Sequence, residues 1–379
     1  MKNATITPFE IEIDREHIND IQTKVKKYNW QDFPKRNGWQ DGVGYDDLLK
    51  LVNFWNTHYN WHDVQEKLNL LPNYKFKSEN YTIHFLHFKT NNSKPPILLL
   101  HGWPGSYLEF ENLMNKLAAD GHDVIVPSLP GFAFSSPLDE IIGPKRISSL
   151  FNSLMNELFG ETKYIIQGGD WGSHIASWMA YLYPDNILGI HLNMVGIISE
   201  DNEPKNINDK LFMENRNRRL YDEQGYNHQQ ETRPQTLGVA LYDSPVGTAA
   251  WILEKFGKWA DLSLTKEGSP DIWSKFDETQ ILTNIMLYLV TNTTVTSIWI
   301  YRGMYLEESN KLPLKAYVKV PTAIAAFPDP VFAPTPRSIV EYNYNVIHWS
   351  TMDKGGHFAA LEEPEVLYLD FKKFINNIV

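Results

Sequence analysis

The sequence predicts an α/β fold with a mostly parallel central sheet, a helical insertion and an N-terminal meander and helix extension. Three observations carry this. From Pro95 onward, short apolar runs alternate with stretches of helical period, the order that builds a parallel sheet covered on both faces. From about residue 198 to 320 the alternation breaks, and it resumes with Val320-Pro-Thr-Ala-Ile-Ala-Ala-Phe327 and with Tyr344 to Met352. Before residue 93 lies a separate strand-and-helix unit. The expected division is therefore 1–92 as an extension packing on the core, 93–197 with 321–379 as the core, and 198–320 as a mainly helical lid.

The elements follow in order. Pro8-Phe-Glu-Ile-Glu-Ile13 alternates like a short edge strand, and Arg15 to Tyr28 is polar and helix-permissive. Tyr45 to Leu71 carries Leu48, Leu51, Val52, Trp55, Trp61, Val64 and Leu68 at three- and four-residue spacing, which predicts two amphipathic helices broken near Tyr59-Asn60. Tyr81 to Phe88 alternates as a strand. His84 and His87, three apart on it, face opposite sides and are expected to be structural. Ile97 to Leu100 is a buried-strand run, followed by a helix from about Tyr107 to Ala119 and the strand Val124-Ile-Val126. Ile147 to Leu158 keeps helical period up to Gly160. A central strand from Tyr164, a helix beginning near Ser173 and stopped by Pro184, and a strand from Ile187 to Val195 come next. Within the insertion the stretch from Glu200 to Arg219 is polar, Ser244-Pro245 starts a helix, and Ile281 to Val290 is strongly apolar. The last helix runs roughly from Glu365 to Ile378.

Composition narrows the function classes. The chain has 379 residues and a 42% hydrophobic fraction, ordinary for a globular protein with a sizeable core. A formal charge of −11 opposes nucleic-acid binding, which needs clustered Lys and Arg. With no Cys, disulfides and thiolate metal sites are excluded. The opening MKNATITPFEIEID has no apolar run of a secretory signal, and nothing approaches the roughly 18 apolar residues of a membrane span. A soluble, cytoplasmic protein without a membrane anchor is expected, and a homo-oligomer stays open. Neither a P-loop, a His-Glu-x-x-His nor a complete dinucleotide fingerprint occurs, so no cofactor and no metal are expected.

Chemistry concentrates at Tyr164-Ile-Ile-Gln-Gly-Gly-Asp-Trp-Gly-Ser173. A β-branched run ends at two glycines, and a helix follows. Small–x–nucleophile–x–small at such a turn is the nucleophile elbow of α/β-hydrolases, with Asp170 where serine usually stands. No Gly-x-Ser-x-Gly occurs, which disfavours a serine esterase. A carboxylate nucleophile attacks an electrophilic sp³ carbon and leaves an alkyl ester that water must cleave. Asp is also a favoured helix N-cap, so the motif alone leaves both readings open. The rest of the chain favours the nucleophile. His101-Gly-Trp-Pro104 ends a strand where the N–H of Trp103 can join that of Trp171 as an oxyanion hole. His357, in Gly355-Gly-His-Phe358, follows the last strand and is the histidine in position to act as general base. Asp329, in Phe327-Pro-Asp-Pro330, is the acidic residue at the preceding strand end and a candidate to orient that ring.

The sequence resembles the microsomal-type epoxide hydrolases, the branch that includes the juvenile hormone epoxide hydrolases. The resemblance covers nearly the whole chain: His101-Gly-Trp-Pro-Gly-Ser106, Gln167-Gly-Gly-Asp-Trp-Gly-Ser173, Asp243-Ser-Pro-Val-Gly247, Ile252-Leu-Glu-Lys-Phe256 and Gly355-Gly-His-Phe-Ala-Ala360, in that order. It implies an α/β-hydrolase fold, a lipophilic epoxide and water as substrates, and a vicinal diol as product. It also implies that two lid tyrosines, matching Tyr226 and Tyr301, hold and protonate the epoxide oxygen. One departure stands out. The family pattern Ala-Phe-Pro-x-acid finds Pro330 at the acid position and Asp329 one residue early, while Asn193 occupies another acid position known in related hydrolases. Two alternatives follow: a haloalkane dehalogenase, which shares the Asp nucleophile, and a catalytically impaired protein that binds hydrophobic ligands.

Overall fold

The structure is a computed structural model that describes residues 4–35, 38–78 and 80–379. Met1, Lys2 and Asn3, part of the expected N-terminal unit, lie outside the described residues. The chain opens with β1 (Thr5–Pro8), α1 (Arg15–Lys26), α2 (Tyr45–Thr57), α3 (Trp61–Asn69), β2 (Asn73–Ser78) and β3 (Tyr81–Phe88). Strands and helices then alternate: β4 (Ile97–Leu100), α4 (Glu111–Ala119), β5 (Val124–Pro127), α5 (Pro144–Phe159), β6 (Tyr164–Gly168), α6 (Asp170–Leu182) and β7 (Ile187–Leu192). Helices α7 (Ile207–Glu223), α8 (Gly225–Thr232), α9 (Pro234–Asp243), α10 (Pro245–Trp259), α11 (Glu278–Val290) and α12 (Trp299–Leu306) intervene. The core resumes with β8 (Val318–Ala326), α13 (Arg337–Asn343), β9 (Tyr344–Thr351), α14 (Ala359–Glu362) and α15 (Pro364–Ile378).

Among the described residues, nine strands form one sheet in the order β1-β2-β3-β5-β4-β6-β7-β8-β9. From β5 to β9 every pairing is parallel, and β1, β2 and β3 add an antiparallel edge. Parallel strands covered on both faces must be apolar throughout, and every residue of β4 and of β6 is buried. The chain leaves β4 to one side and β6 to the other, so a crevice opens at their C-terminal ends. Helices α8, α10 and α12 roof it. Among the described residues no helix is long and apolar enough to cross a membrane.

The edge strand differs from expectation. β1 covers Thr5–Pro8 instead of the expected Pro8 to Ile13: after Phe9, whose N–H still bonds the carbonyl of Asn73 (2.9 Å), the chain turns to α3, where the N–H of Ile11 bonds Asn69 Oδ1 (2.7 Å) and that of Ile13 bonds Gln65 Oε1 (3.0 Å). β2, which pairs with β1 and β3, was not anticipated. The helix expected from Tyr107 opens with a 3₁₀ turn over Tyr107–Phe110 before α4 begins. The polar stretch from Glu200 to Arg219 is largely helical in α7, where Asn206 Oδ1 caps the N–H of Asp209 at 3.0 Å.

The N-terminal unit braces the insertion. Asp47 accepts the indole N–H of Trp39 (2.9 Å) and of Trp273 (2.7 Å), and the Trp39 ring covers Gly257 of α10 so closely that a Cβ there would lie 2.3 Å from it. His84 bonds Ser128 and Asn73 while His87 bonds Asp123, so the two rings serve separate structural networks.

Candidate active site

The turn after β6 is tight enough to exclude side chains. A Cβ on Gly172 would stand 1.9 Å from the carbonyl oxygen of Leu100, and one on Gly168 would stand 2.5 Å from that of Gly172. Asp170 itself takes φ +45°, the left-handed region that costs a non-glycine residue about 1–3 kcal/mol and that clusters at functional sites. α6 begins at Asp170, three residues earlier than expected, which sets the carboxylate at the helix N-terminus where partial positive charge favours it.

The loop from His101 to Ser106 is held so that its backbone faces this carboxylate. The N–H of Trp103 donates to Asp170 Oδ1 at 2.8 Å, and the N–H of Trp171 bonds the same side chain. Burial pushes His101 down to about 4, so its ring is neutral; Nε2 accepts the N–H of Leu129 (3.1 Å). α11 fixes the far side of the loop, with Asn284 Nδ2 donating to the carbonyl of Pro104 (2.7 Å) and Tyr288 to that of Gly105 (2.5 Å).

After β9 the chain turns back over the elbow. Glu362 accepts the N–H groups of Gly356 (2.8 Å), Phe358 (2.9 Å) and Asp261 (2.7 Å), and so clamps the segment that carries His357. His357 Nε2 lies 3.1 Å from Asp170 Oδ2, and its Nδ1 lies 2.8 Å from Asp329 Oδ2. Asp329 reaches the ring despite standing one position early. Pro330 has no N–H, and the next two donors, Val331 (2.8 Å) and Phe332 (2.7 Å), both turn onto Asp329 Oδ1 and fix its orientation. Asn193 is engaged elsewhere, accepting from Gln167 Nε2 at 2.9 Å.

Charge follows from these contacts. Burial works against a charged His357 ring, but hydrogen bonds to Asp170 and Asp329 and their two charges outweigh it and hold the ring up at about 10. Burial alone would raise the Asp170 carboxyl; the His357 hydrogen bond and charge, with the N–H groups of Trp171 and Trp103, keep it below the usual range. The resting site is therefore an imidazolium between two carboxylates.

Tyr226 on α8 and Tyr301 on α12 meet above Asp170, edge to face with ring centroids 5.9 Å apart. Tyr226 stacks on the Trp103 indole (5.5 Å), and Tyr301 stands edge-on to that of Trp171 (4.6 Å). Burial first, and neighbouring negative charge after it, raise both phenols well above their ordinary value, so both carry their protons at neutral pH. A cavity of about 190 Å³ in front of them is lined by Asp170, Trp171, Tyr226, Tyr301, Phe332 and Arg216 among others.

Behind Asp170 lies a second space of about 10 Å³, at the lower limit for one water, walled by Trp103, Glu109, Asp170 and His357. Burial and then the charge of Asp170 push the Glu109 carboxyl up to about 8. The sequence reading missed Glu109, because Ser106-x-x-Glu109 has the form of an ordinary helix capping box. Glu362 stands in Glu362-Glu-Pro364, one of the stretches that carry the family resemblance, but nothing in the sequence marks it as the clamp on the His357 segment. Among the described residues no cluster suited to a metal ion occurs.

Sheet order, elbow and facing N–H groups define an α/β-hydrolase whose elbow residue is a carboxylate. The comparisons narrow this. Residues 6–110 match the family model for the epoxide hydrolase N terminus, and residues 95–235 match that for the alpha/beta hydrolase fold. Juvenile hormone epoxide hydrolase 2 of Ctenocephalides felis is 35% identical over 99% of this chain and 87% of its own length. Epoxide hydrolase 1 of Sus scrofa is 34% identical over 99% and 89%. The juvenile hormone epoxide hydrolase structure from Bombyx mori superposes with a TM-score of 0.87 at 30% identity, covering 99% of this chain and 95% of that one. The chain belongs to the epoxide hydrolase family.

Proposed function

We propose that this enzyme hydrolyses a lipophilic epoxide to a vicinal diol in two steps, with Asp170 as nucleophile and His357 as base. In the first, an Asp170 oxygen bonds an epoxide carbon while the carbon–oxygen bond of the ring breaks. The departing oxygen takes a proton from Tyr226 or Tyr301, whose hydrogen bonds strengthen as the alkoxide develops. Ester formation removes the charge of Asp170, and with it one of the two partners that keep His357 protonated. The imidazolium proton replaces the one given up by the phenol, which leaves a neutral ring.

In the second step His357 Nε2 takes a proton from water, and the hydroxide adds to the ester carbonyl of Asp170. The N–H groups of Trp103 and Trp171 hold the resulting oxyanion. The acyl–oxygen bond breaks and the alkoxide recovers the proton from His357; the carboxylic acid left on Asp170 then gives its own proton to the ring, which restores carboxylate and imidazolium as the diol leaves. Asp329 orients the ring, and Glu109, largely protonated at neutral pH, is a hydrogen-bond partner for water in the space behind Asp170. The aromatic wall of Trp171, Tyr226, Tyr301 and Phe332 suits an apolar substrate body.

One observation carries the reading: the unbroken chain from Asp329 through His357 and Asp170 to the Trp103 N–H, at 2.8, 3.1 and 2.8 Å. It also weighs against the impaired-binding alternative, which required Asp329 to miss the ring. A time course with styrene oxide, following diol and intact protein mass, tests it. Wild type should form diol over many turnovers and Asp170→Ala none; sustained diol from Asp170→Ala would overturn the assignment. Halide release from a haloalkane would favour the dehalogenase instead.

A further inference from the structure

Helix α7 is polar and mostly exposed, yet Arg216, Leu220 and Glu223 fall four and three residues apart and present one stripe to the catalytic cavity. The two ends of that stripe differ. Glu223 is compensated: its Oε1 accepts Lys255 Nζ at 2.7 Å and the indole N–H of Trp259 at 2.8 Å. Arg216 is half-buried, and among the described residues no carboxylate pairs with it and no hydrogen bond engages it. Burial, and then the like charge of Arg219, disfavour its ionised form.

The two carboxylates of the same wall, Glu223 and Asp170, are both held by other partners. Its charge acts on His174, a half-buried ring one turn beyond Asp170 whose Nδ1 lies 3.1 Å from the Asp170 carbonyl oxygen. Asp170 is itself occupied by His357 and two N–H groups. A guanidinium partly withdrawn from water and left unpaired carries a desolvation cost, and its planar fork matches a carboxylate bidentately.

We propose that Arg216 takes a carboxylate of the substrate, so that the enzyme prefers epoxides carrying an acid group set apart from the oxirane by an apolar body. The aromatic wall takes the body, the phenols take the oxirane oxygen, and Arg216 takes the far end. This rests on epoxide hydrolysis at Asp170.

The test compares 4-(oxiran-2-yl)benzoate, its methyl ester and styrene oxide in the wild type, Arg216→Leu and Arg216→Lys. Wild type should favour the acid in kcat/KM. Arg216→Leu should lower the ratio of kcat/KM for acid over styrene oxide about 10- to 100-fold, the size of a charged hydrogen-bonded pair, chiefly through KM. Arg216→Lys should recover part of it. An unaltered ratio in Arg216→Leu, or equal losses on acid and ester, would overturn the carboxylate assignment. Calorimetry with the diol of the acid keeps the two readings separate. Binding that Arg216→Leu abolishes, in an enzyme that turns over none of the three epoxides, would support Arg216 while counting against the hydrolytic reading.

Discussion

Asp329 Oδ2 lies 2.8 Å from His357 Nδ1, with the other oxygen of the carboxylate held by the N–H groups of Val331 and Phe332. Pro330, at the expected acid position, has no N–H to offer, and it is the two residues after it that hold the Asp329 carboxylate. Asp329→Asn keeps the size of the side chain and removes its charge. We expect alkylation by styrene oxide to continue while ester hydrolysis slows by about 10²- to 10⁴-fold, so that the covalent adduct accumulates in intact-mass spectra. Full turnover in this variant would remove Asp329 from the mechanism.

The imidazolium between two carboxylates has a pH signature. The folded value of His357, about 10, lies above the ordinary 6.5, so this bridge contributes stability that is whole below about pH 6.5 and lost as pH rises through about 10. Asp170→Asn removes one of the two groups that raise it. The His357 ring should then titrate at lower pH in NMR spectra than in the wild type. An unchanged titration would contradict the bridge.

Glu109→Gln preserves the shape of the protonated carboxyl but cannot exchange its proton. Pre-steady-state fluorescence should show alkylation within a few-fold of wild type and a hydrolysis phase slowed by roughly 10- to 100-fold. Equal effects on both phases would make Glu109 a packing residue.

Tyr226→Phe and Tyr301→Phe each remove one donor to the opening epoxide. Each should slow alkylation by about 10²- to 10³-fold, the usual cost of one such donor, and the double variant should lose more than either. Rapid-quench measurement of ester formation checks this directly.

Gly172→Ala tests the elbow. Its Cβ would meet the carbonyl oxygen of Leu100 at 1.9 Å, and backbone cannot move aside as a flexible side chain does. A loss of about 1–3 kcal/mol is expected in denaturant unfolding.

What the sequence makes legible depends on how much of the physics is local. The elbow is legible because its sharp turn demands glycines at fixed offsets, and the strands β4 and β6 because burial on both faces leaves only apolar residues. His357 is legible from its place after the last strand. Glu109 is not, because its importance comes from a 3₁₀ turn that aims it behind Asp170 and from charges distant in sequence. The edge strand lies at Thr5–Pro8 and not over Pro8 to Ile13 for a similar reason: Asn69 and Gln65, more than fifty residues away, take the N–H groups of Ile11 and Ile13 that strand pairing would need. Whether Asp329 could reach His357 was open from sequence, since a one-residue displacement is resolved only by the geometry of the turn.

The central claim is that Asp170 is alkylated and its ester is cleaved at the acyl carbon. A single turnover with enzyme in excess over styrene oxide in ¹⁸O-water, followed by peptide mass spectrometry, tests it most directly. The account predicts ¹⁸O in the Asp170 carboxylate and none in the first diol. Label in that first diol, with Asp170 unlabelled, would mean that water attacks the epoxide directly and would contradict the account.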